Sequence, residues 1–189
     1  MQSISPELVF RGNSAWEKAL PEICSLTKKP LVLGRSIYTL NIRKKILRDL
    51  KDQNLNVDFA NLEFDCCSED ISRVQNLILN KKHDSLIAAG GGKVLDSGKY
   101  IADSLNIPCI TVPLSASTCA GWTALSNIYS KNGQFIKDVV LRSCPKIIVF
   151  DHKFIKTAPS RTLASGIADA LAKWYESSIT SSTIDDGLV

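Results

Sequence analysis

Three consecutive glycines, Gly90, Gly91 and Gly92, separate the apolar run "SLIAA" from an amphipathic segment that opens with Lys93. Glycine loses more backbone freedom on folding than any other residue, so three in a row imply a close approach to the main chain. A strand, then glycines, then a helix start presents backbone N–H groups and the positive end of a helix to an anion, with phosphate the usual occupant. The other reading is a tight strand-to-helix turn packed against its own neighbours. The spacing is neither GxGxxG nor GxxxxGK followed by Ser or Thr, so neither the usual dinucleotide fingerprint nor the P-loop applies. Lys93 and Asp96, and then Asp96 and Lys99, are spaced i,i+3 on the new helix. That spacing makes either a solvated ion-pair ladder or a Lys aimed at a diphosphate beside an Asp aimed at a polar ligand. The local pattern does not choose between them.

The elements that must position this turn follow from hydrophobic periodicity. Residues 7–10 form a short strand, and Ser14 caps a helix running to about residue 27, with Glu17 completing a capping box. Residues 30–34 form a buried type of strand, and Ile37, Leu40, Ile46, Leu47 and Leu50 give one helix from Ser36 to about Lys51. A strand at 56–64, a helix opening at Ser68, a strand at 85–90, a helix from Lys93 to about Leu105 and a strand at 108–114 continue the series. Alternation of short apolar strands with helices predicts parallel βαβ units and an open α/β sheet. After Pro113 come the small residues "STCAG", a hairpin signal at Asn132-Gly133, and a last strand at 145–151 that ends on Asp151. From Pro159 the pattern is helical to about Thr180, with Leu163, Ile167, Leu171, Trp174 and Ile179 expecting partners. The expected division is an α/β domain over 1–155 and the first helix of an all-helical domain over 156–189.

Composition narrows the function classes. Hydrophobic residues make up 44% and charged residues 22%, enough to bury a core. The net charge of +4 comes from dispersed lysines without interleaved aromatics, which reads as solvated helix faces and not as a nucleic-acid surface. Six cysteines without a CxxC pair, and only two histidines, argue against a structural zinc site and fit a reducing cytoplasm. No basic stretch followed by an apolar one opens the sequence, and no apolar run has the length of a membrane span.

Three blocks together carry a resemblance: "GGGKVLDSGKYIAD", "ITVPLSASTCAGWTALSNIYSKNGQF" and "APSRTLASGIADALAKWYE". In this order, and over nearly the whole chain, they resemble the iron-containing alcohol dehydrogenase superfamily, most closely its glycerol dehydrogenase branch. The resemblance implies a Rossmann-like nucleotide-binding domain with an open, mainly parallel sheet, followed by an all-helical domain, with the active site in the cleft between them. It implies a metal-dependent NAD(P)-linked oxidoreductase acting on a small alcohol or polyol. The alternatives are a non-catalytic dinucleotide-binding module and a relative acting on a phosphorylated polyol such as glycerol-1-phosphate.

Carried onto this sequence, the resemblance gives the cofactor diphosphate to Gly91, Gly92 and Lys93, with Asp96 in the same motif. Leu114, Ser117, Thr123, Leu125 and Tyr129 line the cofactor's other side, and Asp169 is the first ligand of a divalent metal, Zn or Fe. The family's metal is completed by two histidines further downstream, and His83 and His152 occupy neither position. The metal site is therefore expected to be incomplete in these 189 residues, pointing to a missing C-terminal half or to a homo-oligomer. Cys119 stands where the glycerol dehydrogenase pattern has an Asp facing the substrate hydroxyls, and a thiol is a poor acceptor for a diol. At the end of the second strand the NAD-using pattern has an Asp, and this chain has Arg35. Arg there accommodates a 2′-phosphate and shifts the expected preference toward NADP. The other reading of Arg35 is an exposed residue opening a helix.

Overall fold

The computed structural model describes residues 5–181, so the outermost parts of the expected domains, 1–4 and 182–189, lie outside the described residues. The element order is β1 (Leu8–Gly12), α1 (Ala15–Leu26), β2 (Pro30–Gly34), α2 (Leu40–Asp52), β3 (Asp58–Asn61), α3 (Ser68–Lys81), β4 (Ser85–Gly90), α4 (Gly92–Leu105) and β5 (Cys109–Pro113). Then follow β6 (Leu125–Tyr129), β7 (Phe135–Val140), β8 (Ile147–Asp151), α5 (His152–Ile155) and α6 (Ser160–Ser181). Six strands form one sheet in the order β1-β8-β5-β4-β2-β3, and every pairing in it is parallel.

The central strands β2, β4 and β5 are buried along their whole length, as strands covered on both faces must be. On one face Trp16 and Ile23 of α1 and Ile46 and Leu50 of α2 pack with Val32, Ile87, Val112 and Val149. On the other, Ile71, Val74 and Ile78 of α3 and Leu95 and Ile101 of α4 meet Leu31, Leu33, Leu86 and Ala88. Helix α4 lies unusually close to β4. A Cβ on Gly98 would stand 2.4 Å from that of Ala88.

Chain direction across the sheet reverses once. From β2 the chain passes outward to β3, then returns to β4 on the other side of β2 and continues to β5. In open parallel sheets ligands bind in the crevice outside the carboxyl ends of the strands at such a reversal. Here those ends are Gly34 and Gly90.

Two expectations are corrected. Ser14 does not cap α1: it is left-handed (φ 60°) and makes no side-chain capping bond. The cap comes from 135 residues away, where the buried Asp151 accepts from the Trp16 amide at 3.0 Å through one oxygen and from the Lys153 amide at 2.8 Å through the other. Because β8 pairs with β1, the end of β8 lies beside the start of α1, and one carboxylate serves two helix starts. Glu17, freed from a capping box, pairs with Lys45 at 3.1 Å. The single helix from Ser36 is also broken. The Ser36 hydroxyl accepts from the Tyr38 amide, a 3-10 turn spans Ile37–Thr39, and Ile37 is 76% exposed instead of facing the core.

The hairpin forms as expected. Strands β6 and β7 pair antiparallel, and Gly133 takes φ 80° in the connection, a conformation glycine adopts without strain. Helix α6 runs beyond the sheet with Leu163, Ile167, Leu171 and Trp174 exposed.

Candidate functional site

The three glycines serve two different purposes. A Cβ on Gly90 would meet Val94 at 2.7 Å, and one on Gly92 would meet the Thr118 methyl at 3.0 Å. These two serve packing within the chain. Gly91 is different, because a Cβ there would make only an ordinary contact, 3.7 Å from the Ser115 hydroxyl, and the residue borders two adjoining hollows. Gly91 is also the N-cap of α4, with no side chain bonding the helix start and no acidic residue in the first turn. The first amides of a helix lack intrahelical acceptors, so this start presents unsatisfied donors and the positive end of the dipole.

That start opens into a crevice of about 260 Å³ lined by Arg35, Ser36, Thr39 and residues 90–94. It lies at the reversal between β2 and β4. Its Ser36–Thr39 wall is held from behind by Arg43, which the sequence pattern gives no reason to single out among the cations of α2. Arg43 is 1% exposed, donates to the Ser36 carbonyl at 2.9 Å and to the Thr39 hydroxyl, and stands over the Phe59 ring at 5.3 Å. A Cβ on Gly34 would collide with its side chain at 2.3 Å, so β2 must end in glycine.

Around Gly91 the crevice meets a second hollow of about 230 Å³, where Leu114 and Ser115 face Thr157, Pro159 and Arg161. Beyond Lys93 it opens into a larger cleft of about 650 Å³. Gly92, Lys93 and Asp96 form one side of this cleft, and Ser117, Cys119 and Thr123 form the loop side. Leu125 and Tyr129 of β6 close the base, and Asp169 with Lys173 enters from α6. Helix α6 reaches the loop because Gly166 lies against it; a Cβ there would stand 1.8 Å from the Ala116 carbonyl oxygen. The loop is itself pinned. Leu114 donates to the Gly90 carbonyl at 2.9 Å, and Thr111 donates its hydroxyl to the Gly121 carbonyl at 2.8 Å.

The charged residues of the glycine motif do not form a solvated ladder. Lys99 is buried, sits 3.1 Å from Asp96, and also donates to the carbonyls of Thr123 and Leu125. Burial pushes the Asp96 carboxyl up, offset in part by Lys99 and by the Asn127 amide. The pair fastens α4 to β6 and so fixes the cleft's base. Lys93 turns away from Asp96 and meets the carboxylate of Asp65 at 2.5 Å, with its ammonium 4.7 Å from the centre of the Tyr129 ring. Arg35 pairs with the other oxygen of Asp65 at 2.7 Å. Nothing in the spacing of "LEFDCC" marks Asp65 as part of this group. Trp122 packs its ring on Phe150, at 6.3 Å between centroids, and does not line the cleft.

The family model for iron-containing alcohol dehydrogenases matches residues 6–152. The chain belongs to this family. Its place on the glycerol dehydrogenase-like branch follows from individual relatives. An uncharacterized oxidoreductase of Synechocystis is 38% identical over 97% of the chain and 47% of that protein. A glycerol dehydrogenase of Escherichia coli O6:H1 is 33% identical over 91% of the chain and 47% of its own length. The crystal structure of glycerol dehydrogenase from Schizosaccharomyces pombe superposes with a TM-score of 0.78 at 31% identity, covering 93% of this chain and 45% of that one. The chain thus spans about half the length of the curated relatives it matches.

The family's two cofactors fit these residues unequally. A nucleotide diphosphate fits the open space at Gly91 and the uncapped start of α4. A metal does not. Among the described residues no three His, Cys, Asp or Glu side chains converge, and Asp169 is one carboxylate on α6, one turn from Lys173 on the same wall of the cleft. His83 is buried under the amino ends of β2 and β4, with Nδ1 3.1 Å from the Lys29 carbonyl, and His152 packs edge-on to Phe150.

Proposed function

We propose that this chain carries the nucleotide-binding half of an NAD(P)-linked oxidoreductase that oxidises a small alcohol or polyol. The observation that carries the reading is the open space before Gly91, at an uncapped helix start, at the point where the sheet reverses direction. In this reading the amides of Gly91 and Gly92 and the ammonium of Lys93 hold the diphosphate. Leu114 lies where the crevice turns, and Thr123, Leu125 and Tyr129 line the continuing cleft. The bound nucleotide supplies a hydride acceptor. The apolar faces of Leu125 and Tyr129 exclude water from one side of the cleft, and the Ser117 hydroxyl and Cys119 thiol face a substrate from the loop side. A thiol at position 119 is a weak acceptor, so the cleft suits a simple alcohol better than glycerol.

One observation favours a second reading, in which the chain binds the nucleotide without turning it over. Among the described residues Asp169 lacks the further metal-ligating side chains that would complete a centre with it. Both readings are tested by fluorescence titration of the chain with NADH and NADPH, followed by assays with Zn²⁺ or Fe²⁺ and a panel of small alcohols. Saturable nucleotide binding is expected. Its absence would overturn both readings, and metal-dependent turnover by the chain would exclude the second.

A further inference from the structure

The sequence places Arg35 at the end of β2, where a free guanidinium would receive a 2′-phosphate. In the folded chain this guanidinium is not free. Its Nη1 lies 2.7 Å from Asp65 Oδ1, and Lys93 Nζ lies 2.5 Å from Asp65 Oδ2. One carboxylate thus engages both cations that border the crevice. The cations are 44% and 40% exposed, and the Asp65 side chain only 12%, so the carboxylate is the fixed member and the cations are the movable ones.

Asp65 is held from behind. Tyr129 donates its amide to the Cys66 carbonyl at 2.8 Å, Cys67 donates to the Asp65 carbonyl at 2.9 Å, and a Cβ built on Gly133 of the hairpin turn would stand 3.6 Å from Oδ2. Oδ1 is shielded from solvent and has no aligned hydrogen bond, only the ion pair with Arg35. Asp65 itself does not line the crevice; Arg35 and Lys93 do.

Resting on the nucleotide-binding reading above, we propose that Asp65 is a positioning residue that sets the nucleotide preference by restraining Arg35. With its charge matched by a shielded carboxylate, Arg35 gains little from a 2′-phosphate, which must compete with Asp65 for the same guanidinium. A 2′-phosphate dianion at Arg35 also approaches that carboxylate and is repelled by it. A ribose with a free 2′-hydroxyl meets neither obstacle. The crevice is thereby biased toward the unphosphorylated nucleotide despite the arginine at its rim.

The test is the ratio of dissociation constants for NADPH and NADH, read by fluorescence on the full chain, with thermal unfolding of each variant as a check on folding. Wild type is expected to bind NADH at least as tightly as NADPH. Asp65→Asn should shift the ratio toward NADPH by on the order of tenfold, since release of Lys93 at the diphosphate acts on both nucleotides alike and release of Arg35 on NADPH alone. Asp65→Glu should keep the wild-type ratio, and adding Arg35→Ala to Asp65→Asn should abolish the shift. An unchanged ratio in Asp65→Asn, equal weakening of both nucleotides, or a shift that survives Arg35→Ala would overturn the proposal. If wild type binds neither nucleotide, the nucleotide-binding reading itself fails and this proposal falls with it.

Discussion

Two hollows open at opposite ends of the parallel sheet, and their backbone donors distinguish them. At the amino ends of the strands, a hollow of about 330 Å³ is lined by Lys99, Asp103, Asn106, Arg142 and residues 144–146. Each cation there has a carboxylate partner: Arg142 with Asp103 at 3.3 Å, Lys146 with Glu7, and Lys99 with Asp96. Helix α4 presents its carboxyl end to this side, where Asn106, left-handed, donates to the carbonyls of Ala102 and Asp103. The crevice at the carboxyl ends is smaller, but it holds an uncapped helix start and open backbone at Gly91. Unsatisfied donors beside open space distinguish the proposed binding end from the amino end.

The comparison breaks most visibly at Gly91. Its φ of −85° and ψ of −177° are comfortable for valine, and a Cβ there makes only an ordinary contact, 3.7 Å from the Ser115 hydroxyl. Gly91→Val should weaken NADH binding by on the order of 100-fold, which corresponds to about 2.7 kcal/mol. It should cost no more than about 1 kcal/mol of stability, the price of a poorer N-cap residue. Isothermal titration paired with denaturant unfolding reads both. Loss of binding through unfolding alone would erase the distinction between the two ends.

At the amino end, the expected effects are on stability. Asp84 ties the starts of β2 and β4 together by accepting from the Thr27 hydroxyl and from the amides of Lys28 at 2.8 Å and Lys29 at 3.1 Å. Burial alone would raise its carboxyl, but these donors outweigh burial and hold it below the ordinary 3.8. A depressed carboxyl stabilises the fold above its unfolded value, and that contribution is lost as pH falls through the folded one. Asp84→Ala should therefore cost about 1–2 kcal/mol near neutral pH, after allowing for solvent exposure. The difference from wild type should shrink below about pH 3.8, in unfolding curves measured across the acid range. Nucleotide affinity should not move.

The smallest effect belongs to Arg142. Its pair with Asp103 is largely exposed, so Arg142→Ala should cost less than about 1 kcal/mol and leave NADH binding within about twofold of wild type. A large loss of binding in this variant would make the amino-end hollow the functional one.

Much of this fold was legible in the sequence because buried parallel strands are short continuous apolar runs. "PLVLG" and "SLIAAG" gave β2 and β4 with their observed limits, and Asn132-Gly133 located the hairpin. Contacts made across the sheet were not legible. Ser14 looks like a cap from its neighbours, but the capping carboxylate arrives from Asp151 because β8 lies beside β1. Of the two i,i+3 pairings the helix offers Asp96, the one with Lys99 forms, and Lys93 instead finds Asp65 from the segment after β3. Of the site residues, Gly92, Lys93, Asp96, Ser117, Cys119, Thr123, Leu125, Tyr129 and Asp169 share one cleft, with Gly91, Leu114 and Arg35 around the bend. Asp65 and Arg43 were missed for the same reason. Each reads as an ordinary surface charge until the fold places it against another element.

The central claim is that a nucleotide diphosphate binds the carboxyl-end crevice through the backbone at Gly91. Two-dimensional amide ¹H–¹⁵N spectra recorded during titration with NADH test it most directly, since glycine amides occupy a distinct region. The account predicts that the largest shifts fall on Gly91, Gly92 and Lys93, with Arg142, Ser143 and Lys146 unmoved. Shifts centred on the amino-end residues, or no saturable shift at the three crevice amides, would contradict it.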